Sequence, residues 1–170
     1  MEKMRRIIAI LFIIYLAYLI WAVLFKFSFS YSEIPYKRQY VNLNLFYRPY
    51  ASALSPVIIR ERVMNILIFI PFGAYLYMLG SRKFIFSFAI MLLTSVLFEV
   101  IQYAFTLGTS DIADVATNAL GGVLGFALAY ITLRISKKEE KMARHFAILA
   151  TFFSFAVIVG TLVIKFGYMG

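Results

Sequence analysis

Cysteine is absent from the 170 residues, and histidine occurs once, at His145. Without thiols there is no disulfide framework and no thiolate nucleophile. A zinc site built on two or more His or Cys ligands is excluded by the same inventory. Charge is scarce as well: Asp, Glu, Lys and Arg make up 15% of the chain, against about 25% in soluble domains. Of these, 8 are acidic and 17 basic, giving a net charge of +9. Carboxylates are therefore few enough that each one inside an apolar run needs a reason. Internal repeats and low-complexity tracts are also lacking.

Apolar residues fill the chain instead, at 63% with a mean hydropathy of +0.86, where soluble domains carry about 45–50%. A chain this short has no soluble core that could bury so much apolar surface, so lipid is its solvent. Its length allows one domain, a single membrane unit over 1–170. Crossing a hydrocarbon layer of about 30 Å takes roughly 20 mostly apolar residues in a helix. Ile7–Phe25, Val63–Ser81, Val115–Leu133 and Phe146–Ile164 are uncharged, and Phe84–Ser110 is interrupted only by Glu99. The sequence predicts an all-α integral membrane protein, a compact bundle of about five transmembrane helices.

The start, Met1-Glu2-Lys3-Met4-Arg5-Arg6, imitates the charged head of a signal peptide. The apolar run behind it is longer than a usual signal core, Lys26 follows it, and Trp21 to Phe29 offers no small-x-small cleavage site. A retained first helix is the expectation. Lys and Arg sit in the gaps between apolar runs, where they set topology rather than bind nucleic acid. With the N-terminus inside, the larger share falls on the cytoplasmic side, packed into short loops at Arg82–Lys83 and Arg134–Arg144. We expect a cytoplasmic (inner) membrane protein with its N-terminus in the cytoplasm and its C-terminus outside. The link Ser136–Arg144, which alternates Glu139 and Glu140 with lysines, reads as a solvated extension. The last run carries only Thr151, Ser154 and Thr161 as polar groups and reads as a packing helix.

Between the first two runs lies Lys26–Arg62, expected outside, with Tyr31, Tyr36, Tyr40, Tyr47 and Tyr50, and with Pro35, Pro49 and Pro56 as helix breakers. Tyrosines suit the headgroup layer, rings anchored and hydroxyls wet. The segment reads as a loop on the membrane surface, or else as a lid over a site.

The costly residues are not scattered. A carboxylate inside a spanning helix costs a few kcal/mol on insertion scales and is normally paired or functional. Glu99 and Gln102 stand at i and i+3 on one face of the third run. In the next run Asp111, Asp114, Asn118, Gly121 and Gly125 follow at spacings of 3, 4, 3 and 4, a single helical stripe, polar at one end and glycine further in. Gly121-x-x-x-Gly125 lets a neighbouring backbone approach closely in lipid. The second run brings Arg60, Glu61, Arg62 and Asn65 to the same level, then Pro71 and Gly73, expected to interrupt the helix. Structural readings exist for each: Asp111 as a helix cap with Asp114 in the first turn, Glu99 paired with Arg60 or Arg62, Asn118 bonded across helices, the glycines as packing. Their coincidence at one level points to one site, open to the outside.

These blocks in order, Asn65-Ile66-Leu67-Ile68-Phe69-Ile70-Pro71-Phe72-Gly73, then Glu99-x-x-Gln102, then Asp111-x-x-Asp114-x-x-x-Asn118-x-x-Gly121-x-x-x-Gly125, resemble the VanZ-like family over about 63–133. Two departures stand out. Related sequences often carry a proline after an Asn-Leu pair, where this chain has Asn44-Leu45-Phe46-Tyr47-Arg48, and an Arg where Thr109 follows Gly108. The second removes a cation from beside Asp111 and leaves Arg60, Arg62 or Arg48 as substitute partners. The family's namesake confers resistance to teicoplanin, a glycopeptide whose acyl tail anchors it at the outer face of the membrane. The resemblance therefore implies a binding or shielding protein that lowers lipoglycopeptide action, with Arg60, Arg62, Asn65, Glu99, Gln102, Asp111, Asp114 and Asn118 as ligand-binding candidates. The partners expected are membrane lipid and a lipoglycopeptide or a lipid-linked cell-wall precursor, with no cofactor. The alternative is an enzyme on a lipid-linked envelope substrate, with Glu99, Asp111 and Asp114 as acid and base or as ligands of a divalent cation such as Mg²⁺. A transporter, favoured by broken helices and intramembrane acids, ranks third because the chain has no inverted repeat.

Overall fold

The computed structural model describes residues 2–24, 41–45, 55–80, 83–107, 110–135 and, with gaps, 143–160. The tyrosines expected at the membrane surface, Arg48 and residues 136–142 of the basic link lie outside those residues. The elements in order are α1 (Glu2–Leu24), β1 (Val41–Asn42), α2 (Pro56–Leu79), α3 (Phe84–Ala104), β2 (Ser110–Asp111) and α4 (Ile112–Ile135). A shorter apolar helix, α5, covers Ala143–Phe153. Among the described residues, α1, α2, α3 and α4 are long and apolar enough to cross a membrane, so the chain is a multi-pass membrane protein. Large apolar side chains such as Ile13, Ile85, Leu93 and Ile135 point outward, as they must where lipid replaces water.

Two boundaries differ from the sequence reading. α2 begins at Pro56 rather than at Val63, so Arg60, Glu61 and Arg62 are helical. Pro56 does not break a helix but starts one, at a position where its missing N–H costs nothing. The Ser55 side chain caps this end by accepting from Ile58 N at 3.3 Å. At the other boundary, α3 stops at Ala104 and not near Ser110. Leu107 N donates to Gln102 O at 2.9 Å and Thr106 N to Tyr103 O at 3.2 Å, the paired bonds of a Schellman ending. Thr106 takes the left-handed position with φ 53°, where glycine is usual, and the following Leu107 is buried.

α2 also runs through Pro71 without interruption. Pro71 removes the donor owed to the carbonyl of Leu67. The adjacent carbonyl of Ile68 receives a donor from outside the helix, the Tyr15 hydroxyl of α1 at 2.7 Å. Around that bond the rings of Phe12, Tyr15 and Tyr75 gather, with Tyr15 and Tyr75 centroids 5.6 Å apart. The Tyr75 hydroxyl reaches α5 at Thr151 Oγ1, 2.8 Å away, and donates to Ala147 O at 3.2 Å. α5 is thus held by polar contacts as well as by packing.

The centre of the bundle is α4, which packs most extensively on α2 and next on α3. A Cβ built on Gly121 would meet Ile66 O, one on Gly125 would meet Ile70 O, and one on Gly73 would meet Gly122 O, all well under 3.0 Å. α2 and α4 therefore touch backbone to backbone and run in the same direction. Between apolar helices in lipid no water is released on contact, so association rests on this kind of close fit. α1 and α3 run the opposite way. Arg5 donates to Leu79 O, at the C-terminal end of α2, at 3.2 Å, placing a cation where the helix dipole is negative. The end of α1, the start of α2, the end of α3 and the start of α4 consequently share one end of the bundle.

Candidate functional site

At that shared end, α3 turns Ser87, Met91, Ser95, Phe98, Glu99 and Gln102 inward. This is one helical face, from which Ser95 and Glu99 reach α4 and Gln102 reaches the end of α1. Glu99 and Gln102 are 5% and 2% exposed. The Schellman turn then sends the chain back so that β2 can pair in parallel with β1, Val41 opposite Ser110 and Asn42 opposite Asp111. A segment of the long loop is thereby pinned beside the start of α4, bringing the buried Asn42 into register with Asp111.

Asp111 does two jobs there. Its backbone N–H donates to Glu99 Oε2 at 2.7 Å, a short bond that ties α3 to the start of α4. Its Oδ1 accepts from Ala113 N at 2.9 Å, so the side chain caps α4. Asp114 follows in the first turn of α4 and is also buried, where a negative charge is favoured by the helix dipole. One turn deeper, Asn118 Nδ2 donates to Ser95 Oγ at 2.9 Å. Glu99 with Asp111, and Ser95 with Asn118, thus tie α3 to α4, and Gln102 and Asp114 are buried at the same end of the bundle. The capping role yields a direct test. Asp111→Ala should cost about 1 kcal/mol of stability, whereas Asp111→Asn keeps a cap acceptor and should cost little. Chemical unfolding of the purified protein measures both, and equal losses would mean that the cap is not what Asp111 contributes.

The second-helix candidates fall elsewhere. Asn65 is half-buried and donates to Thr117 Oγ1 at 3.5 Å, on the α2 side of α4. Arg62 donates to Leu45 O at 3.1 Å and so secures the loop, while Arg60 is exposed. The stripe on α4 divides. Asn118 reaches Ser95 of α3, whereas Gly121 and Gly125 admit the backbone of α2. Among the described residues no group of three or more His, Cys, Asp or Glu is placed to hold a metal ion.

Sequence reasoning passes over Asn42, Ser95 and Thr117. Ser95 carries a signal, since it precedes Glu99 by one helical turn on the same face. Thr117, beside Asn118, carries a weaker one. Asn42 has none, because its place depends on a two-residue pairing across the fold.

A family model described as VanZ/LLP1 matches residues 12–135. The Protein VanZ of Enterococcus faecium is similar, 39% identical over 117 residues, which is 68% of each chain. No solved structure matches the chain significantly.

Proposed function

The chain belongs to the VanZ/LLP1 family, and from that premise we propose that it acts at the cell envelope to lower susceptibility to lipoglycopeptides such as teicoplanin. It does so by binding or shielding at the outer leaflet, with the polar layer between α3 and α4 as its site. The observation that carries this reading is the burial of Glu99, Gln102, Asp111, Asp114 and Asn118 together at one end of the bundle. Lipid-exposed helices have no use for three buried acids at one level, and the cost of placing them there calls for a role. The α3–α4 end faces outward in this reading, since Lys3, Arg5, Arg6 and Lys83 lie towards the opposite end.

Two measurements test it. Expressed in a susceptible host, the chain should raise the teicoplanin concentration needed to stop growth, with a smaller effect on a glycopeptide lacking an acyl tail. Unchanged growth under teicoplanin would sink the functional reading. In a background with no native thiol, cysteine at the exposed Val41 should react with an impermeant reagent in intact cells, and cysteine at the exposed Lys83 should not. The reverse pattern would turn the site towards the cytoplasm.

A further inference from the structure

The end of the bundle opposite Glu99 and Asp111 is formed by the start of α1, the end of α2, the start of α3 and the end of α4. It is basic: Lys3, Arg5, Arg6, Lys83 and Arg134 lie there and are all exposed. Among the described residues the carboxylate of that end is Glu2, 3.9 Å from Arg6 with both side chains largely in solvent, a pairing of little strength. Sorting of topology needs only the charge of such residues. Arg134 is held more closely than that requires. Its Nη1 donates to the Tyr130 hydroxyl one turn earlier, and its guanidinium carbon lies 5.3 Å from the centre of the Tyr130 ring. One of five N–H donors is thereby used, and the rest have no protein partner among the described residues.

A row of rings leads from Arg134 to Lys83. Tyr130 meets Tyr77 edge-on at 6.0 Å, Tyr77 meets Phe126 at 5.1 Å, and Phe126 meets Phe84 at 5.4 Å. Phe84 directly follows Lys83, so the two cations stand at the two ends of one aromatic row. Large apolar side chains lie open beside each of them: Phe84 is 45% exposed and Ile131 52%, the latter on the Arg134 face of α4 at i and i+3. A soluble anion would leave those side chains uncovered, whereas an amphiphile brings chains to cover them. The planar fork of an arginine matches two oxygens of a phosphate, and a lysine adds a point charge. We propose that Arg134 and Lys83 hold the phosphate of an anionic phospholipid, with its acyl chains along Phe84 and Ile131. This second site is independent of teicoplanin protection and of the buried acids at the other end.

The full chain, purified in a neutral detergent, is titrated with dioctanoyl phosphatidylglycerol, dioctanoyl phosphatidylcholine and glycerol 3-phosphate. The first carries charge and tails, the second has the same tails with its charge neutralised by choline, and the third has charge without tails. Phosphatidylglycerol should raise the melting temperature, and the other two should do so far less. Arg134→Lys keeps the charge and loses the fork, and should weaken phosphatidylglycerol binding about 10-fold, the value of a hydrogen bond between charged groups. Lys83→Gln should weaken it about 5-fold, as loss of one basic residue beside an anionic headgroup does. Equal responses to phosphatidylglycerol and phosphatidylcholine would overturn the proposal. Undiminished binding by Arg134→Lys would overturn it too, leaving diffuse attraction by charge alone. So would equal stabilisation by glycerol 3-phosphate, which would mark a site for soluble phosphates. Both altered side chains are exposed, so the fold should tolerate the substitutions; if a variant does not fold, the three ligands on the unaltered protein decide.

Discussion

Gly125→Ala is expected to destabilise the purified protein by about 3 kcal/mol, near the upper end of what overpacking costs. The added methyl would sit on the carbonyl of Ile70, and that obstacle is backbone inside a continuous helix, with no rotamer available to yield. Relief requires α2 and α4 to separate, which loosens the pairs Ile66–Gly121 and Gly73–Gly122 together. Gly125→Leu should leave no folded protein in detergent. Gly122→Ala makes a milder comparison, because the new methyl meets the Met91 side chain, which can move aside. Gly160→Ala is the control: nothing lies within 4 Å of its added Cβ, and replacing a helical glycine there should stabilise by about 0.5–1 kcal/mol. Thermal melts of the four variants measure the series. A melt of Gly125→Ala that matches the unaltered protein would mean that α2 and α4 are held apart in the membrane.

How much of this was legible in the sequence differs by element. The spans are readable because lipid imposes a length on apolar runs that water does not, and Glu99 is the one charge inside them. The start of α2 is harder, since Arg60, Glu61 and Arg62 end the apolar run although the helix continues to the Ser55–Pro56 start signal. Glycine spacing on α4 announces a close approach but cannot name its partner, because any helix with a bare face would fit. Gln102 and Glu99 are recognisable as sharing a face. That Glu99 accepts from the Asp111 backbone depends on the turn at Thr106, and a threonine in the left-handed region has no sequence signature. Asn42 is the extreme case, placed by a pairing between segments far apart in the chain. Arg62 adds a contact that charge complementarity does not suggest, its bond to Leu45 O, because a backbone carbonyl in a loop carries no sequence signal.

Glu99→Gln and Asp114→Asn are expected to abolish teicoplanin protection while leaving abundance and melting near those of the unaltered protein. Both substitutions keep size and shape. A glutamine at 99 can still accept from Asp111 N–H through its amide oxygen, so the link between α3 and α4 survives. An asparagine at 114 keeps the shape and gives up the favourable interaction of the charge with the helix dipole, about 0.3–1 kcal/mol. Glu99→Ala provides the contrast, because it removes the acceptor and leaves a buried N–H unsatisfied at a cost of about 1–3 kcal/mol. If Glu99 only supports the fold, protection should follow stability: little changed in Glu99→Gln and lost with the protein in Glu99→Ala. If its charge is the working part, Glu99→Gln should lose protection while remaining folded. Growth under teicoplanin, read beside membrane abundance and melting temperature for all three variants, separates the two cases. Full protection in both amide variants would reduce the acids to structural roles, with Asp111 as a cap and Glu99 as the acceptor that closes the turn.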